Sequence, residues 1–157
     1  MQVRGQIRTS CPPEIFLSAM RDPKVLSQLL PPGSKLEQGQ NGALAFVLNK
    51  TFGPIRLTLP GQLTLTPTGE GHNQTLSARA SHNIGGMADL DLDLVFDLVD
   101  GQTLLDCTGN LVATGIAGRV LRERQNRVNQ ILKGLLLRLK VQAEQEMRKA
   151  RTGPVPA

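Results

Sequence analysis

Between Asp89 and Leu98 the chain is written in steps of two: Leu90, Leu92, Leu94, Phe96 and Leu98 on one parity, Asp89, Asp91, Asp93 and Asp97 on the other. A period of two sends alternate side chains to opposite faces of a β-strand, so one face is expected buried and the other wet. Asp100-Gly101 follows, a dipeptide suited to a tight hairpin, and predicts that Thr103–Ala113 returns antiparallel. Upstream, Val3 and Ile7 oppose Arg4 and Arg8 in a half-buried first strand. Leu44, Phe46 and Leu48 mark another. After a turn at Phe52, Gly53 and Pro54, the odd positions Ile55, Leu57, Leu59, Leu63 and Leu65 point one way, with a bulge or bend expected at Pro60-Gly61. Gly69–Asn73 reads as a polar turn, Leu76, Ala78 and Ala80 as the next strand, and Gly85-Gly86 as another turn.

Helical spacing occurs in two places. Ser10 is expected to cap a short helix opened by Pro12 and Pro13 and striped by Ile15, Phe16, Ala19 and Met20. Asp22-Pro23 opens a second, ending at Pro31, Pro32 and Gly33. From Gly115 to Arg151 no turn signal intervenes, and Leu121, Val128, Ile131, Leu132, Leu135, Leu136, Leu139 and Gln142 fit one helical face. Thirty or more residues form a rod of roughly 50 Å, longer than a strand of roughly 30 Å. The basic end, Glu144–Arg151, is therefore expected to overhang the sheet.

The 157 residues suit one domain, placed at 1–150 with a disordered tail at 151–157. No run of about eighteen apolar residues occurs and the first ten residues lack the apolar core of a secretion signal, which predicts a soluble cytoplasmic protein. Cys11 and Cys107 fit no zinc or redox spacing and read as small buried groups. The absence of Trp and Tyr removes the stacking surfaces of single-strand nucleic-acid binders. Charge is uneven: Thr114–Ala157 holds ten Lys and Arg against three Glu, a net +7, and the remainder carries the −2 that completes the overall +5. Such a basic end suggests an anionic partner, a membrane surface or an acidic protein face, beside the plain reading of a solvated helix.

These elements compose an α+β fold: one strand, two short helices, further antiparallel strands to a total of about six to seven, then one long helix that covers the apolar face of a curved sheet. A cavity can remain between sheet and helix. The stretches KVLSQLLPPGSKLEQ, FGPIRLTLPGQLTL, Gly85-Gly86 and TLLDCTGNLVATGIAGRV, between Lys24 and about Leu139, carry a resemblance. The chain resembles the START-like (SRPBCC, helix-grip) superfamily of ligand carriers, and within it is similar to the carbon monoxide dehydrogenase G-subunit family. The resemblance implies a non-catalytic accessory protein, without a cofactor, that helps couple a molybdenum hydroxylase to the cytoplasmic membrane by holding a quinone or similar lipid. One stretch departs from the family's pattern. RVLRERQNRVNQ stands where relatives have a small, mostly apolar first half of the last helix, and if it faces the cavity the ligand is more polar or smaller.

The expected ligand-binding set is Phe46, Leu57, Leu59, Leu63, Ala78, His82, Leu90, Leu92, Leu94, Cys107, Arg124, Arg127 and Ile131. His82 shares parity with Leu76, Ala78 and Ala80 and could bond a ligand carbonyl, though a histidine beside a Gly-Gly turn is the plainer reading. Arg124 and Arg127, three apart on a helix, could hold a head group, against simple solvent exposure. His72 is expected in a solvated turn. The Asp89, Asp91 and Asp93 ladder lies opposite the leucines, facing partners such as Arg56 or Arg79, so no metal site is expected. Ser81 beside His82 is not a triad, since neighbours on a strand point apart, and no nucleophile or phosphate motif occurs. The leading expectation is a carrier of an apolar molecule. The rivals are a polyketide cyclase or aromatase using the same cavity with His82, and a protein-binding adaptor whose interior is filled.

Overall fold

The computed structural model describes residues 1–30, 32–39, 43–52, 54–69, 71–82 and 86–151. Strand β1 (Gln2–Thr9) leads into helices α1 (Pro13–Arg21) and α2 (Pro23–Ser27). Strands β2 (Lys35–Gln38), β3 (Leu44–Phe52), β4 (Ile55–Pro67), β5 (Gln74–His82), β6 (Gly86–Val99) and β7 (Gln102–Ala113) follow. The chain then forms α3 (Gly115–Glu123), a single 3₁₀ turn at Gln125–Arg127, and α4 (Val128–Arg151). All seven strands form one antiparallel sheet in the order β1-β7-β6-β5-β4-β3-β2. It is a meander closed on one side by the first strand. The Asp100-Gly101 turn has positive φ at both residues, 52° and 76°, as a tight hairpin with the native strand twist requires.

Register settles which side chains share the concave face. Leu36, Phe46, Gly61, Ala80, Ala88 and Ala113 follow one another across β2 to β7, and Leu65, Leu76, Leu92, Gly109 and Val3 form a parallel row. The aspartates of β6 lie on the convex face, where Asp91 accepts from Ser77 Oγ at 2.8 Å and Asp89 pairs with Arg79 at 3.8 Å. Arg56 sits two strands from them, opposite Thr51.

The long helix lies along β1. Leu132 and Leu136 settle on Gly5, where an added Cβ would come within 3.0 to 3.1 Å of them. Asn129 Oδ1 accepts from the Arg4 backbone N–H at 3.0 Å, and Thr9 Oγ1 donates to Glu144 at 3.1 Å. Helix and strand are thus tied near both ends, and Asn129 satisfies a donor on the open edge of the sheet. The main core joins β1, β6 and β7 to α1 and to α4 from Leu136 onward: Val3, Ile7, Phe16, Leu94, Leu105, Cys107, Leu136, Leu139 and Ala143 are all buried. A smaller one, of Phe46, Leu59, Ala80 and Ala117, sits at the other end of the concave face under α3.

Several sequence expectations change. The final helix is not one rod: the backbone leaves helical geometry at Arg124, with φ −115° and ψ 14°. Six polar residues, Arg122–Arg127, separate Leu121 from Val128. No apolar side chain in that stretch continues the buried stripe between them, and α3 and α4 are separate helices. At 24 residues, α4 spans roughly 36 Å. Its C-terminal part is covered on one side, with Ala143 and Met147 buried in the core shared with α1. Ser10 does not cap α1; its N-cap is Pro12, with no side-chain bond, whereas Asp22 does cap α2 by accepting from Lys24 N. α2 ends at Ser27, before the prolines. Gly61 marks no bulge, since β4 pairs in unbroken register through it; its missing side chain makes room for the Phe46 ring. Leu98, on the leucine parity of β6, is 76% exposed because β6 runs past the core into its hairpin. Gly53, Gly85 and the tail from 152 lie outside the described residues.

Candidate functional site

Between the two cores, the concave face is only partly covered. Leu63 and Leu65 of β4, Leu76 and Ala78 of β5, Leu90 of β6 and Leu111 of β7 are half-buried, although their parity is that of the core. The reason lies in the helices. α4 packs mainly on β1, α1 and α2, and α3 on β6 and β7, with Ala117 of α3 joining Phe46, Leu59 and Ala80 in the smaller core, so the helices cover the two ends of the face most closely. The N-terminal half of α4 reflects this: Val128, Leu132 and Leu135 are half-buried, whereas Leu136, Leu139 and Ala143 further along are buried.

A groove of about 390 Å³ opens over this region, lined by Leu44, Leu63 and Leu65 with Arg21, Gln38, Thr64 and Thr66. Its volume falls within the span of about 300–1,000 Å³ usual for small-molecule sites. α1 forms the end wall. Its Phe16 ring meets Phe96 edge-on at 6.1 Å, His72 in the β4–β5 turn pairs with Glu14 at 3.2 Å, and Arg21 Nη2 donates to Gln74 Oε1 at 3.1 Å. Gln74 is buried on the concave face, so Arg21 is drawn to the groove rim. His72, its side chain 41% exposed, is solvated as expected and also touches α1 through Glu14.

The expected lining residues divide accordingly. Leu63, Ala78 and Leu90 are half-buried on the concave face. Leu92, Leu94 and Cys107 share that face but are buried by the protein's own side chains. Phe46 and Leu59 belong to the smaller core, close to Leu63. Ile131 is 52% exposed, turned away from the packed side of α4. Arg124 and Arg127 do not share a helix: one ends α3, the other lies in the 3₁₀ turn, and both are exposed. The break in the final helix is what puts them on different elements. The side chains of Leu57 and His82 lie outside the described residues.

Sequence reasoning misses Arg21 and Gln38, as well as Leu44 and Leu65, as lining, and Gln74 as the partner of Arg21. Parity alone suffices to add the leucines, but Arg21 reaches the groove only because α1 crosses the end of the sheet. Neither cysteine is poised for chemistry. Burial, then the neighbouring Asp106 charge, pushes the Cys107 thiol up to about 12, and burial, then Glu144, raises Cys11. Among the described residues, no group of three His, Cys, Asp or Glu is placed to hold a metal, and no helix is long and apolar enough to cross a membrane. The arrangement is suited to enclosing an apolar body beneath a polar rim.

No protein-family model matches the chain, and no curated protein matches it. Solved structures do. A conserved protein from Geobacillus kaustophilus superposes with a TM-score of 0.72 at 14% identity, covering 92% of this chain and 96% of that one. The Zhui aromatase/cyclase from Streptomyces sp. R1128 gives 0.64 at 16% identity, with 99% of both chains covered. A STAR-related lipid transfer protein from Xanthomonas axonopodis gives 0.62 at 14% identity, over 90% of this chain and 84% of that fragment. At such identities the likeness is one of fold: the chain has the helix-grip architecture of START-like proteins, a seven-stranded antiparallel sheet with a long C-terminal helix.

Proposed function

We propose that this protein is a non-catalytic carrier that holds a lipid or quinone-like molecule between the concave sheet face and α3–α4. The observation that supports it most is the row of half-buried leucines, Leu63, Leu65, Leu76 and Leu90, between two well-packed cores. Leaving that much apolar surface uncovered costs about 25 cal/mol per Å², and a bound apolar molecule recovers it. The carrier acts in the cytoplasm as an accessory to a molybdenum hydroxylase of the carbon monoxide dehydrogenase type, in keeping with the family resemblance that the sequence carries. Its basic helical end, with Arg138, Arg148 and Lys149 exposed on α4, favours contact with anionic lipid.

Titration with a short-chain ubiquinone, followed by native mass spectrometry, tests the binding step. One quinone per chain, lost on Leu63→Trp with the fold retained, is the expected result. No adduct with any quinone, and none with lipid extract, counts against a carrier. A cyclase is the second reading, favoured by the full-length superposition on the aromatase/cyclase. His82→Ala tests it: loss of turnover of a polyketide mimic supports a cyclase, and unchanged turnover removes that residue from consideration.

A further inference from the structure

Arg21 ends α1 at the rim of the groove, and its charge has no acidic partner among the described ion pairs. Its one hydrogen bond among the described residues is to the neutral amide oxygen of Gln74, at 3.1 Å. Gln74 is only 4% exposed, so this contact ties Arg21, itself an exposed residue, to the groove that it lines with Leu63 and Leu65 of β4. The acids on neighbouring helical turns are committed elsewhere. Glu14 pairs with His72, and Asp22 accepts the Lys24 backbone N–H that begins α2. A guanidinium offers five N–H donors in a planar fork, and one amide oxygen leaves most of that fork open. A fixed cation beside an apolar floor selects against neutral guests of the same shape, because a carboxylate is matched by two parallel N–H bonds whereas a hydroxyl or ester is not.

We infer that the groove takes an apolar molecule bearing a carboxylate, with the carboxylate on Arg21 and the hydrocarbon over Leu44, Leu63 and Leu65. This specifies the ligand class of the carrier reading and rests on it. The volume of about 390 Å³ suits a single chain or small ring system.

Isothermal titration with dodecanoate and with dodecanol, near neutral pH and at low salt, reads the head-group preference directly. Wild type is expected to bind dodecanoate about tenfold more tightly than dodecanol, with the gap narrowing as salt screens the pair. Arg21→Met is expected to abolish the preference, read as the acid-to-alcohol affinity ratio within each protein with the fold checked by circular dichroism, and Arg21→Lys retains part of it. Equal affinity for acid and alcohol in wild type, or a preference that survives Arg21→Met, overturns the carboxylate assignment and leaves the carrier intact. Binding of neither compound overturns the assignment together with the carrier.

Discussion

Leu94→Ala and Leu63→Ala, measured side by side, distinguish an interior that is filled from one that is partly open. Leu94 is 1% exposed, within the core built from Phe16, Leu105 and Cys107, so its truncation leaves a closed void. Such changes cost about 2–5 kcal/mol, the transfer of the lost methyl groups plus the cavity they leave, and about 3 kcal/mol is expected here. Leu63 has the same residue type and the same inward parity, but it borders a groove open to solvent. No sealed void forms there, and only part of its surface was removed from water, so about 1 kcal/mol is expected. In a domain of this length each kcal/mol moves the midpoint of thermal unfolding by about 2–4 °C. The midpoint should therefore fall by about 6–12 °C for Leu94→Ala and by no more than about 4 °C for Leu63→Ala, by circular dichroism on ligand-free protein. Equal falls would mean that Leu63 is packed as tightly as Leu94, and the open interior would be refuted.

Other consequences follow from single contacts. Gly109→Ala places a Cβ against the Asp91 backbone carbonyl, which cannot move without breaking the β6–β7 ladder, so the variant is expected to lose more than about 3 kcal/mol in urea unfolding. Gly5→Ala meets only the ends of Leu132 and Leu136, which can shift, and about 1 kcal/mol is expected; a larger loss than for Gly109→Ala would contradict the packing described. Cys107 makes stability fall at alkaline pH: its thiol stays protonated to about 12 in the folded protein, while unfolded thiol ionises near its ordinary value of 9.0. The folded state therefore binds the extra proton between those values, and stability drops as pH rises through the window. Cys107→Ala should show a shallower decline in urea midpoint over that range, and identical slopes would remove burial of the thiol as the cause.

Much of the architecture can be read from the chain because period-two patterning and turn chemistry act locally. Asp89–Asp97 marks a strand with one wet face, and Asp100-Gly101 its hairpin; both follow from backbone geometry that two or three residues impose. The same patterning cannot tell how far cover extends. Leu92 and Leu90 are indistinguishable in sequence, yet one is buried within the main core and the other only half-buried at its margin, a difference set by tertiary packing. The break at Arg124 is hidden for a related reason, since Leu121 and Val128 are seven residues apart and remain in phase through a turn that no apolar side chain anchors. Arg21 is out of reach of sequence reasoning, because its role depends on contacts with Gln74, 53 positions away. The helix-grip fold is legible, whereas the division of its concave face into filled and unfilled parts needs coordinates.

Methyl NMR of leucine-labelled protein, titrated with a short-chain quinone and with dodecanoate, probes that division most directly. Saturable shifts confined to Leu63, Leu65, Leu76 and Leu90, with Leu94 and Leu105 unmoved, are the predicted outcome. Shifts limited to exposed α4 positions such as Leu137, or no saturable shift with either compound, would contradict an interior that holds a guest.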